Sequence, residues 1–178
     1  MWDGESRVEI DVPVSGGEDV MVPVIRAIVI ADHDDGLVLL QRRADPNETV
    51  EGLIEIPGGR WRAGEHPEAA VCREVLEETG ITVTSIDGIT SNRLDDRRTM
   101  SGIQPFRVMA GVGGAFPAVH VIVTARGSGV PRDEPGESAD VRWWHIDDLR
   151  RALVADPDSF VPYAYAALAV YAGVEAGS

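Results

Sequence analysis

Apolar and polar positions alternate in short runs along this chain, punctuated by glycine, proline and aspartate. Val8, Ile10, Val12 and Val14 occupy alternate positions and predict a strand over residues 7–14, closed by a Gly16-Gly17 turn. Residues 21–31 are dense in valine and isoleucine and predict a buried strand. Asp34-Asp35-Gly36 predicts a turn, and strand character resumes over 37–41, so the two runs read as a hairpin. Asp45-Pro46-Asn47 marks a loop, and residues 53–56 form a short strand stopped by Pro57-Gly58-Gly59. A helix is expected to start near Pro67, since proline's missing N–H costs nothing in a first helical turn. Gly80 supplies its left-handed stop, with Ile81 as the apolar residue beyond. Strands follow over 81–89, 106–109, 118–125 and 141–145. Polar loops are expected over 91–104 and 127–135, and Gly111-Val112-Gly113-Gly114 reads as a turn. A short helix over 147–153 and a final helix over 160–172, with Ser159 as its cap, complete the pattern. Strands mixed with a few helices around one core give an α/β layered fold.

The helix over 67–79 breaks a local rule. At about 100° per residue, Glu74, Glu77 and Glu78 share one face, and Cys72, Val75, Leu76, Thr79 and Ala69 fall on the side expected to pack. Like charges three and four residues apart each destabilise a helix by a few tenths of a kcal/mol. No lysine interleaves them. Such conflicts concentrate at functional sites. A hard divalent cation resolves this one, because it takes carboxylate oxygens, water and phosphate oxygens as ligands. A solvated acidic face is the plainer explanation for a bare glutamate pair.

The full spacing favours the cation. Gly59, Glu65, then Arg73-Glu74-Val75-Leu76-Glu77-Glu78-Thr79-Gly80-Ile81, preceded by Glu55-Ile56-Pro57-Gly58, resembles the Nudix hydrolase signature at every fixed position. The resemblance implies a Nudix-like α/β/α sandwich with a mixed central sheet. It implies one domain over residues 1–178, with an N-terminal strand extension (1–18) on a core (19–178). It further implies that Glu74, Glu77 and Glu78 bind Mg2+ or Mn2+ with the Gly58 carbonyl, and that Glu65 lies close by as a ligand or as support. Arg73 would pair with a glutamate of the motif, and Gly59 and Gly80 would serve backbone geometry. The implied activity is metal-dependent hydrolysis of a pyrophosphate bond in a nucleoside diphosphate joined to a second group. ADP-ribose or a related nucleotide sugar is one substrate class. A nucleoside triphosphate, or nucleotide binding without catalysis, are the alternatives. The general base is either a glutamate of the motif or one in the loop before the aromatic strand, where Glu137 is preferred to Glu134.

Other residues carry weaker expectations. Arg26, Arg42 and Arg60 could reach phosphates, since a guanidinium matches phosphate oxygens. Trp61, Trp143, Trp144 and Phe106 could stack on a base but are more often core. Cys72 is expected to be packed and inert, and His66 to lie at the surface or cap the helix.

Composition changes the picture in two ways. Hydrophobic residues make up 44% and charged residues 26%, ordinary for a globular domain. The net charge of −14 disfavours nucleic acid and anionic membranes, and also a free nucleotide; a phosphate substrate would need the sign reversed locally, for which a bound cation is the candidate, and taken alone the charge is more plainly read as keeping the protein soluble. No apolar run reaches the roughly 20 residues needed to cross a bilayer. The N-terminus lacks a basic stretch followed by an apolar one. With Cys72 as the single cysteine, a reducing cytoplasm is expected. The N-terminal extension resembles those through which ADP-sugar members of the family form homodimers.

Overall fold

The computed structural model describes residues 21–46, 49–95, 98–111 and 117–174. The expected strand over 7–14, the extension to residue 18 and its dimer contact lie outside these residues, as does most of the glycine-rich turn.

The sheet is built around β1 (Val22–Ala31), whose valine and isoleucine side chains are covered on both faces. β1 turns through Asp32 and His33 into antiparallel β2 (Asp34–Arg43). The turn therefore comes two residues earlier than the Asp34-Asp35-Gly36 run suggests. Asp34 opens the strand, and its carboxylate accepts the Gly36 N–H at 2.8 Å. β3 (Ile54–Glu55) bonds to β2, and β4 (Gly58–Arg60) bonds to β1. After helix α1 (Pro67–Thr79) come β5 (Thr82–Ile86), β6 (Ile89–Asp95), β7 (Arg98–Ile103), β8 (Arg107–Gly111), β9 (Ala118–Ser128) and β10 (Ser138–His145). The chain ends in α2 (Ile146–Ala155), a 3-10 turn over Pro157–Ser159, and α3 (Pro162–Ala172).

The main sheet runs β10-β2-β1-β9-β5, with β8 on β9. β1 and β9 pair in parallel and the other named ladders of this sheet are antiparallel, so the sheet is mixed. Alternation splits the core in two. Ile25, Ala27, Val29, Leu39 and Val123 face Ala70, Val71 and Val75 of α1. Ile28, Val38, Leu40 and Ile122 face Leu149, Leu153, Ala164 and Leu168 of α2 and α3. Each of these large aliphatic side chains contributes about 1.5–3 kcal/mol on burial. The result is the expected α/β/α sandwich.

Three sequence expectations are corrected. Residues 91–104 are not a loop, because β6 and β7 form a separate two-stranded hairpin held by backbone pairing, such as Thr90 opposite Gly102. A strand pair outside the main sheet does not need the apolar alternation that reveals core strands. The last helix starts at Pro162, not Phe160, with Val161 at its cap position. Ser159 instead bonds back to the Asp156 carbonyl within the 3-10 turn. Finally, Cys72, Ala69 and Leu76 are exposed on α1, whereas Glu78 is buried. The inward face of α1 runs through Pro67, Val71, Val75 and Glu78, so the helix is rotated toward its acidic side.

Candidate active site

Two clefts lie on either side of the Arg26 contacts, the residue itself lining the first and touching His120 and Tyr163 of the second. The first, of about 290 Å³, is lined by Arg26, Arg43, Gly58, Gly59, Arg60, Glu74, Glu78 and Glu137, among others. Its floor is the β3–β4 turn and its wall is α1. Gly58 has φ 141°, and a Cβ there would stand 2.3 Å from the Ile25 carbonyl oxygen. That backbone conformation and that close approach both require glycine. At Gly59 a Cβ would stand 2.6 Å from Glu74 Oε2, so the missing side chain makes room for the carboxylate.

Glu78 is the most buried carboxylate of the acidic helix. Its Oε2 accepts the Gln41 amide at 2.8 Å and the Gly58 N–H at 3.0 Å. Burial first, then the charge of Glu55, pushes its pKa up to about 7. Glu74 and Glu77 are gathered by Arg73, whose Nη1 lies 2.5 Å from Glu74 and 3.3 Å from Glu77. The same guanidinium grips both oxygens of Glu65, at 2.8 and 2.9 Å, and donates to the Arg60 carbonyl. The hydrogen bond from Arg73 holds the Glu65 carboxyl below its ordinary pKa. Glu65 is therefore occupied by Arg73, and Glu77 stays at the surface, about half exposed. Gly80 caps the helix at φ 71°, its N–H donating to the Leu76 carbonyl.

Among the described residues, no group of three or more acidic, histidine or cysteine side chains is disposed to hold a metal ion. The donor chemistry nevertheless suits a hard divalent cation. A desolvated carboxylate with a raised pKa gains from a neighbouring positive charge, and Glu74 fills the cradle left by the missing side chain of Gly59. Glu74, Glu78 and the Gly58 backbone line the same cleft, whereas Glu77 does not line it and lies 3.3 Å from Arg73.

Other sequence-predicted residues separate clearly. Glu137 lines the first cleft, and Glu134 does not, lying 3.6 Å from Arg132. Arg60 lines it. Arg42 does not, because the alternation of β2 turns it to the opposite face, where it donates to the Gly52 carbonyl and meets Asp140 at 3.5 Å. Arg43, one residue on, faces the cleft instead; the arginine pair was visible in the sequence, but its register was not. Arg26 is buried and bound to the Ile56 and Gly58 carbonyls, at 3.2 and 2.9 Å. None of Trp61, Trp143, Trp144 and Phe106 lines either cleft; all pack against the two halves of the core. His66 is exposed at the cap position of α1 without a side-chain cap bond, and meets Ser101 Oγ at 3.0 Å.

The second cleft, of about 540 Å³, is lined by Val50, Met109, Ala110, Gly111, His120, Pro162 and Tyr163. No lining side chain is a carboxylate or an amine. Tyr163 stacks on His120 with centroids 4.7 Å apart, and the Arg26 guanidinium lies 4.1 Å over the Tyr163 ring. Arg26 Nε donates to His120 Nδ1 at 3.4 Å. That contact places the proton of a neutral imidazole on Nε2. Burial, and then Arg26, lowers the His120 pKa to about 4, so the ring is neutral at physiological pH.

Residues 21–164 match the family model of the NUDIX domain. A MutT-like protein of Streptomyces ambofaciens is 38% identical over 80 residues, covering 43% of this chain and 48% of that protein. An ADP-ribose pyrophosphatase of Methanocaldococcus jannaschii is 35% identical over 78 residues, covering 43% of this chain and 44% of its own length. An NAD-capped RNA hydrolase of Mycobacterium bovis is 30% identical over 158 residues, covering 85% of this chain and 41% of the relative. The chain thus spans less than half the length of these curated relatives. Among solved structures, a MutT NUDIX hydrolase from Burkholderia pseudomallei superposes with a TM-score of 0.59 at 25% identity, covering 84% of this chain and 96% of that one.

Proposed function

The chain belongs to the Nudix family, and from that premise we propose that it hydrolyses the pyrophosphate bond of a nucleoside diphosphate joined to a second group, ADP-ribose or a related nucleotide sugar foremost. The observation that carries this reading is the convergence of Glu74, Glu78, Gly58 and Glu137 with Arg43 and Arg60 on one cleft. The name of the M. jannaschii relative, an ADP-ribose pyrophosphatase, supports the substrate class. We take residues 1–178 as one Nudix domain acting in the cytoplasm, with the N-terminal extension available for a homodimer. Among the described residues, no helix is long and apolar enough to cross a membrane.

Glu74, Glu77 and Glu78 are assigned as ligands of Mg2+ or Mn2+, with the Gly58 carbonyl. Glu65 holds Arg73, which keeps Glu74 in place until Glu77 is drawn inward. When bound, the cation supplies charge neutralisation of the diphosphate and acidification of the attacking water. Arg43 and Arg60 orient phosphate oxygens from the opposite wall. Glu137 accepts the proton of the attacking water at its carboxylate. The apolar second cleft receives the base against its stacked Tyr163 and His120 face, with Nε2–H as the polar contact. Charge stabilisation and positioning then carry most of the rate, as in other phosphoryl transfers.

The test is product release from ADP-ribose, nucleotide sugars, dinucleoside polyphosphates and normal or oxidised nucleoside triphosphates, with Mg2+ or Mn2+ and with chelator. Metal-dependent cleavage of nucleotide sugars supports the reading. Preference for triphosphates shifts it to the pyrophosphohydrolase alternative, and binding without turnover shifts it to a regulator.

Glu137→Gln is expected to lower kcat by about 10²–10⁴, the range of general base catalysis, while Mn2+ affinity holds. A variant with parental kcat would move the base to a glutamate of α1.

A further inference from the structure

Among the described residues, Glu55 is the one fully buried carboxylate that the proposed chemistry leaves without a task, at 0% exposure. It is heavily anchored. Arg43 Nη1 lies 3.3 Å from both of its oxygens, Arg26 stands at 3.6 Å, and the Tyr163 hydroxyl donates to Oε2. Its remaining contact leads toward the active site. Gln41 Nε2 donates to Glu55 Oε1 at 3.0 Å and to Glu78 Oε2 at 2.8 Å. One amide nitrogen has two hydrogens, and both are spent on carboxylates.

The cost of that arrangement is visible on the same side chain. Gln41 is 1% exposed, and its Oε1 has no hydrogen-bond partner among the described residues. Buried polar atoms are nearly always paired, so an orphan calls for a reason. Turning the amide over would set Oε1 against two carboxylates, and anchored Glu55 forbids it. The consequence falls on Glu78. Its Oε2 takes both available N–H groups, from Gln41 and Gly58, which leaves Oε1 for the cleft that Glu78 lines.

We infer that Gln41, held in one orientation by Glu55, is a positioning residue that fixes the Glu78 carboxylate with a single oxygen presented to a divalent cation. The inference rests on the reading of Glu78 as a cation ligand. Gln41 and Glu55 touch neither substrate nor reacting atoms in this scheme. They act through Glu78, as groups that orient metal ligands do elsewhere.

The experiment is Mn2+ titration of the full chain without substrate, followed by kcat and KM. Gln41→Leu keeps the volume and removes both donors, and Glu55→Gln removes the anchor. Circular dichroism confirms the fold of each. The expected result is a loss of Mn2+ affinity of about 10–100-fold in both, the range for residues that orient metal ligands. Affinity of Gln41→Leu within about twofold of the parent would overturn the inference. The exchanged pair Gln41→Glu with Glu55→Gln keeps composition and charge but sets a carboxylate against Glu78. It is expected to stay weak, and recovered affinity would show that only volume and charge balance matter. KM for the nucleotide is expected to hold within about threefold while kcat falls with metal affinity. A parent chain that binds no Mn2+ fails differently, because it removes the cation reading and the positioning role with it.

Discussion

Replacing Glu78 with glutamine is expected to move activity and stability in opposite directions. Turnover falls by about 10³, equal to about 4 kcal/mol of transition-state stabilisation, because the cleft loses its most buried ligand charge. Metal-free stability rises. The folded pKa of Glu78 is about 7 against an ordinary 4.5, so the fold holds that proton more tightly than the unfolded chain does. At pH below 4.5 the group is protonated in both states and costs nothing. Between pH 4.5 and about 7 the unfolded chain ionises while the fold keeps its proton, so destabilisation grows to about 3 kcal/mol, at 1.36 kcal/mol per pKa unit, and levels off once the buried carboxylate ionises too. Glutamine keeps an acceptor for the Gly58 N–H and carries no charge. Denaturant midpoints in chelator at pH 5 and pH 8 test this directly. The parent is expected to lose stability between them and the variant to lose much less. Equal slopes would show that Glu78 is not desolvated as its surroundings require.

The second large effect separates two neighbouring glycines. Gly58→Ala sets a Cβ 2.3 Å from the Ile25 carbonyl oxygen and 2.6 Å from the Arg26 Cα, at a φ of 141° that side chains rarely adopt. Backbone atoms cannot yield cheaply, so the loss is expected to be about 4 kcal/mol, the sum of strain and overpacking. Gly59→Ala meets only the end of the Glu74 side chain, at 2.6 Å. That carboxylate can swing away, so stability changes by less than about 1 kcal/mol. Displacement of a ligand by about 1 Å costs catalysis about 10²-fold. Unfolding curves and kcat for both variants distinguish the two outcomes. A Gly58→Ala chain with the parental midpoint would contradict the packing of the β3–β4 turn against β1.

The limits of α1 were legible because they rest on local chemistry. Pro67 and Gly80 mark its ends whatever the helix packs against. Its rotation was not legible. Periodicity placed Cys72 and Leu76 inward, yet the helix turns toward Glu78, since that carboxylate has Gln41 and Gly58 as buried partners from distant parts of the chain. Arg42 and Arg43 make the same point. Which of two adjacent arginines enters the cleft depends on strand register, and register follows from pairing with β1 and β10. Glu137 could be favoured from its approach to the tryptophan strand. Tyr163 could not, because its place beside His120 and Arg26 is made by contacts between residues distant in the sequence. The β6–β7 hairpin left little periodic trace, since it is paired outside the main sheet and meets the core through Ile89 and Ile103 at its end.

The parallel ladder at the centre of the sheet bears on how the chain is made as well as on how it stands. β1 finds β9 almost a hundred positions later, Val22 lying opposite Ala118. Pairings this distant close slowly, and they cannot begin before the later strand has been synthesised. At about 5–20 residues per second, β1 waits roughly 5–20 s on the ribosome with one edge open. β2 can cover the other edge early, because it follows after a two-residue turn. The acidic helix emerges within that interval, so it exists before the sheet it docks on is complete. Nascent chains arrested before Ala118 are expected to bind a holdase chaperone, and chains extended past Ser128 to escape it. Chaperone binding that is the same at both lengths would place closure of the sheet elsewhere in synthesis. A site that draws Glu137 from beyond β9 is completed only after that pairing has become possible.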